Sequence, residues 1–254
     1  MRWILNGPAL ETFARDPVAR TFLSDSRPYV VRRRDARGTL PGAWRAEIVR
    51  TYTSVADLER AAGRGAIGPE VRAVLYDNEA WPFTPEAEQR DPAGFTERAA
   101  ALARACGVAL IAAPAVTLTR VLAPGPERRY DAYLRLGLAA AAARHADVYV
   151  VQAQGSERDL PRYASFVDAA GRQAREANPR VRVFAGISTN PSGIRVSAGI
   201  ILRAIAATRG VVDGYWFNVP KPGPYCPGCT EFRPDLAIEV FRRLASGTEG
   251  AARA

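Results

Sequence analysis

The amino-acid sequence predicts an α/β fold, a single (β/α)8 TIM-type barrel domain over residues 1–254 with an irregular N-terminal part. Three observations predict it. Short β-rich apolar runs alternate with longer segments whose apolar residues recur at helical spacing, the pattern of parallel βαβ units. The runs are apolar almost throughout, as strands covered on both faces must be. Their number, about eight, is what a closed barrel needs.

The runs cover residues 3–5, 29–32, 46–51, 73–76, 108–112, 147–151, 181–187 and 212–217. Helical spacing covers 55–62, 95–105, 130–144, 163–176, 198–208 and 235–244. Asp91-Pro92 and Asp159-Leu160-Pro161 read as helix starts, since proline is tolerated in a first turn. Gly107, Asn178-Pro179 and Gly210 read as stops. The segment 35–44 is too short and too rich in Gly and Pro for a full helix, so one barrel unit is expected to be degenerate. An open doubly wound sheet is the alternative, but neither its usual glycine-rich phosphate turn nor a P-loop follows any run.

An apolar content of 48% suits a globular chain with a sizeable core. No stretch is long enough to span a bilayer, and the start lacks the features of a signal peptide, so a cytoplasmic location and no membrane partner are expected. The net charge of +9 comes almost entirely from arginine, with Lys221 the only lysine. The arginines are scattered, and the densest group is Arg32, Arg33, Arg34 and Arg37. Without an RNA-binding aromatic motif or zinc-finger spacing, these read as a solvated basic face, so nucleic acid is not an expected partner. Cys106 follows an alanine-rich helix and reads as a small core residue. Cys226 and Cys229 form C-P-G-C in a Pro/Gly loop. With His145 the only histidine, the usual four-ligand metal site is unavailable, and the pair reads as loop thiols able to form a local disulfide. His145 reads as a helix C-terminal cap.

In a parallel barrel, sites form where strands end. The fourth run ends in Asp77-Asn78-Glu79-Ala80-Trp81, the sixth in Gln152-Ala153-Gln154 and the eighth in Trp216-Phe217-Asn218. Side chains two apart on a strand share a face, so Asp77 and Glu79 point together, as do Gln152 and Gln154. Paired carboxylates in a dry cleft push their pKa values apart, leaving one protonated and one ionised. Burying two acids is costly, and acid–base chemistry is a reason to tolerate it. Of the aromatics near the strand ends (Trp81, Phe83, Tyr215, Trp216 and Phe217), about half are expected in the core. Glu86, Glu88 and Asp91 are expected in a solvated loop and helix start, and Glu157 or Asp159 is a candidate second carboxylate.

V-L-Y-D-N-E-A-W resembles the end of the fourth-strand motif of family-18 glycoside hydrolases (chitinases and endo-β-N-acetylglucosaminidases), D-x-x-D-x-D-x-E, with Asp77 and Glu79 on its final D-x-E. The resemblance implies a barrel in which Glu79 protonates the glycosidic oxygen and Asp77 stabilises the substrate's N-acetyl group, with Trp216 as a sugar-binding floor. Leu75 and Arg72 stand at the motif's earlier aspartates, and Gln152 and Gln154 where the sixth strand usually offers Tyr and Asp. The expectation is therefore a glycosidase-like enzyme with Glu79 and Asp77 catalytic. Trp81, Gln152, Gln154, Trp216 and Asn218 would bind a small-molecule or oligosaccharide substrate, with no cofactor and no metal. A cyclase or lyase of specialised metabolism, in which Asp77 and Glu79 would hold Mg²⁺ against a diphosphate, is the alternative. A non-catalytic sugar-binding or nucleic-acid-binding protein is another.

Overall fold

The computed structural model describes residues 1–32 and 44–247. Eight parallel strands close into one barrel in sequence order: β1 (Arg2–Asn6), β2 (Tyr29–Arg32), β3 (Glu47–Tyr52), β4 (Val71–Tyr76), β5 (Ala109–Ala112), β6 (Val148–Val151), β7 (Arg182–Ser188) and β8 (Gly214–Asn218). Closure is direct, with Trp3 opposite Tyr215 and Ile4 opposite Trp216 in the β1–β8 ladder. That ladder excludes the open doubly wound sheet. The segment 35–43, with Arg33 and Arg34, lies outside the described residues.

The helices are α1 (Leu10–Arg15), α2 (Pro17–Asp25), α3 (Val55–Gly63), α4 (Glu86–Arg90), α5 (Pro92–Ala105), α6 (Thr119–Leu122), α7 (Arg129–Arg135), α8 (Leu138–Ala143), α9 (Leu160–Ala177), α10 (Ala198–Thr208) and α11 (Pro234–Ala245). Among the described residues, none is long and apolar enough to cross a membrane. Asp91 and Asp159 cap α5 and α9 as expected, accepting from Gly94 N and Arg162 N. The single helix expected over 130–144 is two, α7 and α8, because Gly137 takes a left-handed conformation (φ +65°) between them. Helices α1 and α2, six and nine residues long, lie in the N-terminal part, outside the segments read at helical spacing. Asp16 separates them, its side chain accepting from Ala19 N.

Each strand sends one face inward. Ile4, Tyr29, Val49, Leu75, Ile111, Val150, Phe184 and Trp216 meet on the barrel axis, one from each strand. The base of the barrel is closed by charge: Arg2 pairs with Glu47 at 2.5 Å. Arg2 and Arg182 also both donate to the Tyr29 hydroxyl, at 3.0 and 2.7 Å.

The outward face carries the larger core. At the β1–β8 seam Trp3 packs on Tyr215 (centroids 5.7 Å apart) and edge-on to Phe241 of α11 (5.3 Å). Phe241 also meets Phe13 of α1 and Phe217 of β8, each at 5.3 Å. One ring thus fastens two helices to the closing seam. Phe241→Ala should lower unfolding stability by about 3–5 kcal/mol in urea titrations. A loss below about 1 kcal/mol would show that the seam does not depend on this ring.

Candidate active site

The alternation that fills the barrel continues past the end of β4. Ala73 and Leu75 face the axis. Beyond Tyr76 the neighbouring chains keep the backbone extended: Asp77 N donates to Tyr52 O (2.9 Å), Ala113 N to Tyr76 O (3.0 Å) and Ala115 N to Asn78 O (2.8 Å). Period-two alternation therefore carries inward through Asp77 and Glu79. Asp77 is 9% exposed, and Glu79 is half-buried at the rim.

Gln152 holds the deeper acid. From the end of β6 its amide nitrogen donates to Asp77 Oδ1 (2.9 Å) and to Ala113 O (2.8 Å). Gln154 donates in turn to Gln152 Oε1 at 3.3 Å. Asp77 and the two amides expected at the mouth are thus one hydrogen-bonded group, with the Glu79 carboxyl near enough to act on Asp77 through its charge. Gly186 of β7 makes room for it, since a Cβ there would lie 2.4 Å from Gln154 Oε1.

Both carboxyls are pushed up, chiefly by burial. Burial and the adjacent Glu79 charge raise Asp77 well above the usual carboxylate range, and the Gln152 hydrogen bond only partly offsets them. Burial raises Glu79 to about 7, again with Gln152 pulling the other way. Two such groups side by side titrate as a pair, both displaced upward from the usual carboxylate range.

The other expected residues divide clearly. Trp216 faces inward at 8% exposure. Its indole N–H donates to Asn6 Oδ1 (2.8 Å) and Asn6 Nδ2 donates to Asn218 Oδ1, so these three side chains form a second polar group at the β8–β1 side of the mouth. Tyr215 and Phe217 belong to the outer core, whereas Trp81 and Phe83 sit half-buried on the rim. Trp81 donates to Thr84 Oγ1 at 2.8 Å.

Several expectations need correction. Glu88 is not in a solvated loop. It is 2% exposed and accepts from Ser54 Oγ (2.9 Å), Val55 N (3.0 Å) and Tyr76 Oη (2.7 Å), which makes it the N-terminal anchor of α3. Asn78 belongs to the same group, donating to Tyr76 Oη and Glu88 O on the outer side of β4. Of the two candidate second carboxylates, Asp159 caps α9, and buried Glu157 accepts from Ser188 N where β7 ends. Glu157 is itself raised well above its usual range by burial. Cys106 is half-buried at the α5 C-terminus, not in the core. Cys226 and Cys229 are joined in a disulfide.

Clefts of about 400 Å³ beside His145 and Asp147, and about 620 Å³ beside Arg2 and Glu47, open at the opposite end of the barrel. The site is assigned by its buried acids, not by cleft volume. Sequence reasoning passed over Asn6, although it ends the first run two residues after inward Ile4. It also passed over Tyr225, which no strand-end rule reaches.

A carboxyl with a raised folded-state pKa favours folding while protonated and loses that contribution as pH rises through the folded value. For Glu79 the window runs from about 4.5, its ordinary value, to about 7, and the cost of ionisation is on the order of 3 kcal/mol. Thermal melts should therefore show Glu79→Gln more stable than the parent above pH 7, with the difference shrinking towards pH 4. Parallel pH curves would count against this burial.

No protein-family model matches the chain, and no curated protein matches its sequence. A glycoside hydrolase family 17 beta-1,3-glucanosyltransferase from Rhizomucor miehei is 11% identical, with 87% of this chain and 88% of that chain covered and a TM-score of 0.48. An active-site mutant of the Rhizomucor miehei beta-1,3-glucanosyltransferase in complex with laminaritriose is also 11% identical, with 85% and 86% covered and a TM-score of 0.48. The barrel assignment rests on the strand ladders described above, not on these likenesses.

Proposed function

We propose that this chain is a glycosidase-like barrel enzyme that cleaves or transfers a glycosidic bond by acid–base chemistry at Glu79 and Asp77. The observation that carries the reading is the desolvated pair at the end of β4, with Gln152 donating to Asp77. Glu79, at the rim with a pKa of about 7, is suited to protonate a departing glycosidic oxygen near neutral pH. Asp77 lies deeper and would orient Glu79 or stabilise positive charge. Gln152 holds Asp77. Gln154 and Asn218 would hold hydroxyl or amide groups, and Trp81 and Trp216 would pack on sugar faces. The reading assigns no metal and no cofactor. It is drawn at the level of a glycosidase-like barrel, not of family 18, whose earlier aspartates this chain lacks.

The test is turnover of an oligosaccharide panel, including N-acetylglucosamine and glucose oligomers, with and without added Mg²⁺. Glu79→Gln should lower kcat by about 10²–10⁴ with substrate binding retained. The parent's kcat should fall as pH rises through about 7, because the acid form of Glu79 is the reactive one. Full turnover by Glu79→Gln would overturn the assignment. Strict Mg²⁺ dependence with a diphosphate substrate would favour the cyclase or lyase alternative.

A further inference from the structure

Strands β4 and β8 lie on opposite sides of the barrel, four places apart in the closed order. Yet the loops that follow them touch. Tyr225, in the loop after β8, stacks on Phe83 at 4.5 Å between ring centroids and meets Trp81 at 5.8 Å. Trp81 and Phe83 are themselves edge-on at 5.1 Å. The three rings bridge the open end of the barrel.

The loop after β8 is held so that it can do this. Cys226 and Cys229 close a three-residue separation beside Tyr225, and Cys226 N and Cys229 N bond back to Gly223 O and Cys226 O. On its other flank the loop is fastened to the loop after β7. Asn190 Nδ2 donates to Glu231 O (2.8 Å), and Gly193 packs so closely on Gly228 that a Cβ would lie 2.2 Å from its carbonyl oxygen. At Gly193 the positive φ of +83° also favours glycine.

The rings are not core. Tyr225 is 57% exposed, and Trp81 and Phe83 are half-buried. An apolar cluster left in water beside polar groups marks a ligand contact. It is also continuous with the acids, because Thr84 Oγ1 accepts from both the Trp81 indole (2.8 Å) and Glu79 N (3.4 Å).

We propose that Trp81, Phe83 and Tyr225 form an aromatic subsite on which one sugar ring of the substrate stacks, and that the disulfide-pinned loop after β8 delivers Tyr225 to it. The inference rests on the glycosidase-like reading and adds a substrate-binding residue, Tyr225, that lies on no strand end. Tyrosine suits the role, since its ring offers an apolar face to sugar C–H groups.

The experiment is calorimetric titration with two probes, chitotriose and laminaritriose, in a Glu79→Gln background so that binding is read without turnover. Adding Tyr225→Ala should weaken binding of whichever trisaccharide binds by about tenfold, while Tyr225→Phe should stay within about twofold of the background. The Cys226→Ser/Cys229→Ser double variant should shift towards the alanine value, with thermal melts confirming that each variant is folded. Equal affinities for the alanine and phenylalanine variants overturn the subsite, and an unchanged affinity in the serine double variant overturns the role of the disulfide. Turnover by Glu79→Gln would sink the acid–base reading while leaving a Tyr225-dependent affinity as evidence for the subsite. Binding of neither trisaccharide sinks both.

Discussion

Closure of the sheet between β1 and β8 is the constraint on which the rest of the structure depends. Once Trp3 and Ile4 pair with Tyr215 and Trp216, no strand has a free edge and each strand has an inside. Two-residue alternation then sends every second side chain to the axis, whatever its polarity. Along the strand bodies those side chains are apolar and fill the space. Where β4 and β6 run out, the same alternation delivers Asp77, Glu79, Gln152 and Gln154. The enclosure that keeps Leu75 and Val150 dry also desolvates the two acids, and burial is the largest cause of both upward shifts.

Buried acids elsewhere in the chain are surrounded differently from this pair. Glu88 is more deeply buried than Asp77, but two hydroxyls and a backbone N–H donate to it. Asp16 is subject to the upward push of burial, but Arg242 and the Ala19 N–H outweigh it and hold its carboxyl below the ordinary value. Each of these acids fastens one helix to its neighbours. Among the described residues Asp77 accepts only from the Gln152 amide, and it has a second carboxyl beside it. Burying acids with so few donors is costly. Glu157 lies between these cases, with one backbone donor and a second oxygen that has no partner among the described residues.

The two ends of the barrel are specialised differently. At the base, opposite charges and Tyr29 close the axis, with Arg2 and Arg182 converging on one hydroxyl. At the mouth, two carboxyls meet on one side, the Trp216–Asn6–Asn218 group stands on another, and an aromatic bridge passes between the loops after β4 and β8.

The sequence alone determined the eight strands and their order, each within two residues of its apolar run, because alternating blocks of strand and helix composition are local properties. It also determined that Asp77 and Glu79 share a face, since that follows from strand period. It did not determine whether those acids were satisfied. The sequence read Glu88 as solvated, and only packing supplied it with Ser54, Val55 and Tyr76. The break at Gly137 was decided by backbone geometry that helical spacing does not encode. The meeting of Tyr225 with Trp81 and Phe83 joins residues more than 140 positions apart. Only barrel closure brings those loops to the same end of the molecule, because contacts between distant parts of a chain are set by topology and not by local composition.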